Sequence, residues 1–567
     1  MILKECEIEN LRCFERVSVR LGRFNVVLGA NNSGKSNLLE ALHRVLNPWT
    51  DPEKIGYTRE DFFDPEKPIR INLTLGSADP QDHAAFTDWF ETLEGEEVVR
   101  IRFECRYNPE EEMSTGSLYF AKHDNQDEKP SYRQRNYVCI FLRKAGVNPL
   151  EEMRTTSRTW LGKMLRSIDI SSRKDEITKS LSQAADTLGE IPDIRDLESR
   201  ISTHLDKVIP LERDGFKFTV SSLEPDRILR GIQVYVRTRG SQSRFHVERQ
   251  GLGTQDSLLT SMFRVYVDHA MRQGCPILAI EEPEAHLHPH IQRTLRSENS
   301  RSPTQTILTT HSPFFIQGMD PAQIIILRNI GGKATASQLA EDDFTPQDRS
   351  RFEKYFDVGR SEVFFSNAAL LVEGPTETGA FPPLSARVVE GGEPCDFDKH
   401  SISVLGEEGA GTMPLLSGLL SKFRIPHIAV LDTHPGDTDQ QRKLAELSKT
   451  CQKVIQLDSD FEGTVASQCP ISPLLFTLSE LLDPKDWPNL QSDWQSAAGT
   501  YLTRDHIEQI EIRPEQEAEA RKVVAKWLRK RKGHLAGRLL ASNLQEADIP
   551  TKLREAITET QRLALSR

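Results

Sequence analysis

Residues 24–36 read Phe-Asn-Val-Val-Leu-Gly-Ala-Asn-Asn-Ser-Gly-Lys-Ser, and no other stretch restricts the fold of this chain as tightly. An apolar strand delivers a GxxxxGKS loop, and Lys35 to Leu46 follows with the apolar spacing of a helix. Strand, glycine-rich loop and helix in this order are the framework of a Walker A phosphate cradle, which demands an α/β architecture. The loop's backbone N–H groups converge on phosphates at the helix N-terminus. Gly29, Asn32 and Gly34 belong to that loop; Lys35 would reach the β- and γ-phosphates of a bound nucleotide such as ATP, and the Ser36 hydroxyl would ligate Mg²⁺.

At 567 residues the chain exceeds one compact core, so two to four domains are expected. No run approaches the 18 or more apolar residues of a membrane span. The N-terminus enters a strand pattern directly, without a leader-like segment. Eight cysteines lie scattered from Cys6 to Cys469 without paired spacing, which suits reduced thiols in a cytoplasmic protein. A net charge of −12 argues against a uniformly basic surface, yet leaves room for a local basic groove facing nucleic acid.

Composition and periodicity divide the chain at a polar stretch beginning at Glu341. Residues 1–345 form the first expected domain, and 366–567 the second. In the first, strands and turns surround a single helix, Lys35 to Leu46, up to about residue 110. A helical insertion follows at about 145–210, marked by Leu161, Met164, Leu165 and Ile168. Strands are expected at Lys217–Val220, Ile232–Val236, Ile277–Ile280 and Thr306–Thr310, with a helix from Thr254 to Arg272. In the second, strands at 368–373, 401–405, 427–431 and 453–457 alternate with helices, the pattern of a parallel sheet with crossovers. The tail from about 503 reads as helical and locally basic.

Pro276 to Glu284 runs Pro-Ile-Leu-Ala-Ile-Glu-Glu-Pro-Glu, a buried strand ending in two carboxylates. Glu281 would hold the Mg²⁺ shell and Glu282 would polarise the attacking water, since phosphoryl transfer rests on positioning and charge neutralisation. His311, after the strand-like Ile307–Thr310, is placed to contact the γ-phosphate. In this order of motifs the sequence resembles the ABC/SMC-type ATPases. The resemblance extends to Arg249-Gln250-Gly251-Leu252-Gly253, where Gly251 and Gly253 would approach a nucleotide held by an opposite subunit. It thereby implies a homodimer or higher homo-oligomer, with the helical insertion at about 145–210 as a dimerisation element. His286, His288 and His290 alternate like a metal site, but no Cys or carboxylate at ligand spacing completes it.

Three further strands end in acids: Ala369–Val372 at Glu373, with Glu377 four residues on; Ile428–Leu431 at Asp432; and Lys453–Leu457 before Asp460 and Glu462. Ligands of open parallel sheets gather beyond the C-terminal strand ends, so these carboxylates would share one mouth. An oxygen-rich cluster suits Mg²⁺ or Mn²⁺. Taken singly, each acid is better explained as a strand-end cap or turn; taken together, they are not. The segment Leu370-Leu371-Val372-Glu373-Gly374-Pro375-Thr376-Glu377 resembles a Toprim domain. Together with the first half it closely resembles the OLD (overcoming lysogenization defect) family of ATP-dependent endonucleases, which includes the nuclease subunit of the Gabija antiphage system.

That resemblance implies a two-metal DNA-cleaving centre. Glu373 and Glu377 match the opening glutamates, Asp432 the first acid of a DxD motif, and Asp460 and Glu462 a later pair. In Lys532-Gly533-His534-Leu535-Ala536 it assigns Lys532 to the transition-state charge, leaving Lys530 and Arg531 as a DNA-facing basic patch. The resemblance also leaves room for a helicase-like partner. One departure stands out: His434 occupies the place of the second DxD aspartate, which would favour Mn²⁺ over Mg²⁺. The sequence therefore reads as an ATP-regulated, metal-dependent DNA endonuclease. The alternative is an ATP-dependent DNA clamp or sensor with a degenerate, non-cleaving Toprim domain.

Overall fold

The computed structural model describes residues 1–47, 49–76, 79–122, 128–156, 159–166, 168, 171–206, 232–237, 243–270, 274–343, 345–407, 412–433 and 438–566. The chain forms two compact units, the first from 1–45, 49–130 and 307–567, the second from 46–48 and 131–306.

The first unit opens with β1 (Ile2–Leu11) and β2 (Phe14–Arg20), an antiparallel pair. Alternation along β2 buries Val17 and Val19 on one face and leaves the residues between them exposed, as a half-buried strand requires. β3 (Phe24–Leu28) is buried throughout and leads through the glycine loop into α1 (Lys35–Leu46). β4 (Ile69–Gly76), β5 (Glu91–Leu93), β6 (Glu96–Asn108) and β7 (Met113–Phe120) extend the antiparallel sheet in the order β2–β1–β4–β6–β5, with β7 also on β6.

In the second unit β8 (Ile140–Arg143) pairs in parallel with a later strand; between them come β9 (Tyr235–Val236), β10 (Phe245–His246) and helix α2 (Leu252–Ala270). That later strand is β11 (Ile277–Glu281), in register Ile280↔Arg143. Trp160 packs against Phe141, Phe263 and Tyr266, joining the start of the helical region to α2. Helices at Trp160–Arg166, Lys174–Gly189 and Pro192–Asp206 account for the expected helical insertion.

The chain re-enters the first unit through β12 (Gln305–Thr309), then β13 (Ile324–Ile330) and β14 (Lys333–Gln338). β13 runs parallel to β3 and antiparallel to β14. Beyond it stand β15 (Ala368–Val372), α3 (Pro375–Ser385), the small hairpin β16 (Val389–Glu390) and β17 (Glu393–Pro394), and β18 (Ile402–Gly406). They continue into α4 (Thr412–Lys422), β19 (His427–Leu431), α5 (Thr438–Leu447), β20 (Lys453–Gln456) and α6 (Phe461–Gln468). All strand pairs of this sheet are parallel, in the order β18–β15–β19–β20. β15 and β19 are buried along their whole length, which explains their unbroken apolar sequence. The helical tail includes α7 (Pro514–Lys530), α8 (His534–Asn543) and α9 (Thr551–Leu565), and α9 packs on the sheet.

Several expectations change. The region before residue 110 contains a second helix, Pro80–Phe86, started by Asp79 as N-cap and proline at the first turn. The strand foreseen at Ile232–Val236 shortens to β9, and Lys217–Val220 lies outside the described residues. In the polar segment after Glu341, Thr345 caps a helix, Pro346–Tyr355, whose Phe352 and Tyr355 are buried. β13 and β14 were not foreseen. All eight cysteines are free thiols.

Candidate active site

The glycine loop is shaped by close approaches. A Cβ on Gly29 would lie 2.3 Å from the Leu327 carbonyl, and one on Gly34 would lie 2.9 Å from the Phe14 ring. Gly34 (φ 101°) and Asn32 (φ 61°) adopt left-handed backbone, which turns successive N–H groups inward. Lys35 is buried, its Nζ donating to the carbonyls of Gly29 at 2.9 Å and Ala30 at 3.0 Å. The buried Ser33 Oγ has no hydrogen-bond partner, so the cradle offers an unspent donor as well as a lysine charge. Arg12 braces α1, reaching Asp61, Asn37 and Glu40 at 2.7–2.8 Å. Thr310 N–H donates to the Val27 carbonyl, so His311 follows one residue beyond a bond to the strand that feeds the loop.

In the second unit Glu281 closes β11, and its Oε2 accepts from the Ala145 N–H at 3.1 Å. Glu282 follows with a left-handed φ of 43°, a conformation few non-glycine residues adopt. Gly253 at the start of α2 has a structural demand of its own, because a Cβ there would meet the His286 carbonyl at 2.5 Å. A Cβ on Gly251 would meet nothing within 4 Å, which leaves that glycine open to an incoming group. His290 Nδ1 pairs with Arg293 at 2.7 Å.

The second cluster lies wholly in the first unit, at the C-terminal ends of β15, β18 and β19 and at the start of α6. Val372 leads into Glu373; Gly374 and Pro375 then begin α3, placing Glu377 in its first turn. A Cβ on Gly374 would stand 2.9 Å from Glu377 Oε2, so glycine lets that carboxylate fold back toward the sheet. Burial, reinforced by Glu462 and Glu373, pushes the Glu377 carboxyl up to about 7. Asp432, after β19, is pushed up to about 8 by burial and by Glu377, Glu373, Asp460 and Glu462. These shifts mark carboxylates crowded in a low-dielectric mouth, short of positive charge.

The other members already hold cations. Asp460 caps α6, accepts from Gly463 N–H, and meets Arg529 Nε at 2.6 Å and Nη2 at 2.5 Å. That guanidinium holds its carboxyl down at about 2. Lys532 Nζ stands 2.9 Å from Oε2 of the buried Glu462. Lys443 bridges Glu373 Oε1 at 3.0 Å and Glu407 Oε2 at 2.5 Å. Among the described residues no three His, Cys, Asp or Glu side chains are drawn together tightly enough to hold an ion between them. The donor set is nonetheless oxygen-only, and Asp432 and Glu377 are the two members whose charge is least compensated. That chemistry fits a hard divalent cation.

Helix packing sets the position of Lys532. A Cβ on Gly537 would fall 1.9 Å from the Thr376 carbonyl, and one on Gly379 would fall 2.1 Å from the His534 carbonyl, so α3 and α8 touch backbone to backbone. Gly533 N–H donates to Thr376 Oγ1 at 3.1 Å, fastening the residue after Lys532 to the first turn that bears Glu377. The neighbours read as a DNA-facing patch have internal partners. Lys530 Nζ lies 4.1 Å above the Trp527 ring, and Arg531 pairs with Asp483 and Asp486. Residues 434–437, His434 included, lie outside the described residues.

Sequence reasoning missed Arg529, Lys443 and Glu407. Glu407 follows a strand, and the rule that found Glu373 and Asp432 would have found it too. Lys443 sits mid-helix among ordinary polar residues and gives no local signal.

The fold and these two sites define an ATPase joined to a Toprim nuclease. The chain belongs to the family described as "AAA domain, putative AbiEii toxin, Type IV TA system", whose model matches residues 24–317. The model "Overcoming lysogenization defect protein-like, TOPRIM domain" matches residues 364–433. Among curated relatives, "OLD nuclease" of Thermus scotoductus is 23% identical over 78% of this chain and 83% of its own length. "Endonuclease GajA" of Bacillus cereus is 24% identical over 65% of each chain. "Old nuclease" of Escherichia phage P2 is 21% identical over 75% of each. This pairing of domains and relatives is consistent with an OLD-family ATPase–Toprim nuclease. ATPase and Toprim domains generally use ATP and divalent metals. Among the described residues no helix is long and apolar enough to cross a membrane.

Proposed function

We propose that the substrate is DNA, cut by a Toprim centre at Glu373, Glu377, Asp432, Asp460 and Glu462 that works with Mg²⁺ or Mn²⁺. The observation that carries this reading is the set of buried carboxylates, Glu377, Asp432, Asp460 and Glu462, gathered at the C-terminal mouth of a parallel sheet. Bound there, divalent ions would supply an activated water and a clamp on the scissile phosphate. Asp432, Glu377, Glu373, Asp460 and Glu462 would hold those ions through their carboxylate oxygens. Lys532, fixed by the α3–α8 contact, meets the charge that develops on the phosphate in the transition state.

In the division 1–345 and 366–567, the first domain binds ATP with Mg²⁺ and controls the second. Gly29, Asn32, Gly34 and Lys35 hold the phosphates, Ser36 and Glu281 the Mg²⁺, Glu282 orients the water, and His311 meets the γ-phosphate. Gly251 and Gly253 serve a nucleotide of the partner subunit, so the working form is a homodimer. The activity suits antiphage defence or DNA processing in the cytoplasm. Incubating supercoiled plasmid with protein and Mg²⁺ or Mn²⁺ tests the reading. Nicked or linear product is expected from the wild type and none from Glu373→Ala; equal product from both would refute the centre.

A further inference from the structure

β13 links the glycine loop to the entry of the Toprim sheet. Its residues Ile324–Ile326 pair in register with Val26–Leu28, so Leu327 to Ile330 continue alongside the glycine loop that follows β3. The Leu327 carbonyl fills the space left by the missing side chain of Gly29. Asn329 Nδ2 donates at 3.1 Å to the carbonyl of Asn32, the loop residue in left-handed conformation. Arg328, the neighbour whose side chain leaves the opposite face of the strand, reaches the Toprim sheet. Its Nη1 donates at 3.0 Å to the Arg424 carbonyl and its Nη2 at 3.4 Å to the Ser366 carbonyl.

Those two carbonyls stand just before the strands that carry the acidic cluster. Ser366 precedes β15, which ends at Glu373, and Arg424 precedes β19, which ends at Asp432. Ser366 Oγ also lies 2.5 Å from Ser403 Oγ on β18, the strand before Glu407. Arg424 holds a left-handed φ of 54°, a costly conformation for arginine that persists only where its surroundings enforce it. β15 and β19 are buried along their lengths and hydrogen-bonded in register from Ala369↔His427 to Leu371↔Ala429. A close-packed strand of five residues does not bend easily, so a displacement at its entry reaches its far end. Gly29, Ala30, Ser33, Phe365 and Asn367 line one small cavity, which gives the loop and the entry to β15 room to shift against each other.

We infer that Arg328 and Asn329 form a strut that transmits the state of the nucleotide loop to the strand ends bearing Glu373 and Asp432. The inference rests on the proposed reading of both sites and names the route by which ATP regulates the nuclease. When phosphates occupy the loop, the Asn32 carbonyl moves with it, β13 follows through Asn329, and Arg328 shifts the entries of β15 and β19 together.

Hydrogen exchange read by mass spectrometry, with and without Mg²⁺ and ATPγS, tests the strut on the full chain. In the wild type, nucleotide is expected to slow exchange in peptides covering 29–36 and also to change it in those covering 366–374 and 424–432. In Arg328→Ala the first change stays and the second disappears. Asn329→Ala removes a single hydrogen bond, so it guards against misfolding of the arginine variant, and it should give the same split. A second change of wild-type size in both variants would overturn the strut, as would a wild type that responds only at 29–36. A wild type silent at 29–36 as well would remove the nucleotide reading and the strut together. The plasmid assay judges the nuclease reading separately.

Discussion

Asp432 and Asp460 are both strand-end or helix-start aspartates of one cluster, yet their carboxyls are driven in opposite directions, to about 8 and about 2. Burial among other acids raises the first, and the Arg529 fork lowers the second. Strand-end position made the acids legible in the sequence, because a parallel sheet collects its ligands there. Their counter-charges were not legible, since Arg529 and Lys443 arrive from helices distant in sequence. Lys532 is the cation whose role is most open to measurement. Lys532→Ala is expected to lower the cleavage rate by about 10²-fold, the scale of losing one transition-state charge partner, and to leave DNA affinity nearly intact. Comparing single-turnover cleavage with filter binding checks this; equal loss of both would make Lys532 an ordinary DNA contact. At the loop, Lys35→Ala should abolish ATP hydrolysis, since Lys35 supplies the buried charge within the cradle. Glu282→Gln should bind ATP yet fail to turn it over. Phosphate release and nucleotide binding measured on both variants separate the two roles.

At the scale of elements, α3 and α8 approach so closely that glycine is required on both sides. Lys-Gly-x-x-Ala was readable as a motif, but the helix pair in backbone contact at Gly537 and Gly379 became visible only in the packing. Gly537→Val is expected to push the helices apart and destabilise the protein by roughly 1–3 kcal/mol, the usual cost of overpacking. It should also lose cleavage by displacing Lys532, while ATP hydrolysis continues. Thermal melting beside the two activity assays would show it. His427 at the start of β19 is fully buried, with Nε2 2.7 Å from Ser417 Oγ and Nδ1 2.8 Å from the Ile425 carbonyl. Burial lowers its affinity for a proton below the ordinary value of 6.5. The unfolded chain therefore takes up that proton first on acidification. The stabilisation is complete above pH 6.5 and is lost as pH falls toward the folded value. The drop in melting temperature between pH 7.5 and 5.5 should be smaller in His427→Gln than in the wild type. β13 escaped sequence reading because Arg328 and Asn329 break its apolar run, with partners in other elements, and β14 because Lys333–Gln338 has no apolar residue larger than alanine.

For the whole molecule, the order of motifs and the return of strand–helix alternation after residue 366 were enough to read an ATPase followed by a Toprim domain. The compact units cut differently, since residues 307–343 rejoin the N-terminal strands after the helical region. Such a return is invisible to any division made along the sequence, because an insertion leaves no mark where the chain re-enters a sheet. The central claim is that the strand-end acids of the second half form a divalent-metal centre. Mn²⁺ binding followed by electron paramagnetic resonance, in nucleotide-free protein carrying Lys35→Ala and compared with the same protein also carrying Asp432→Ala, tests it most directly. The account predicts bound Mn²⁺ in the first and its loss in the second, with both variants folded. Equal Mn²⁺ binding by the two proteins, or none by either, would contradict it.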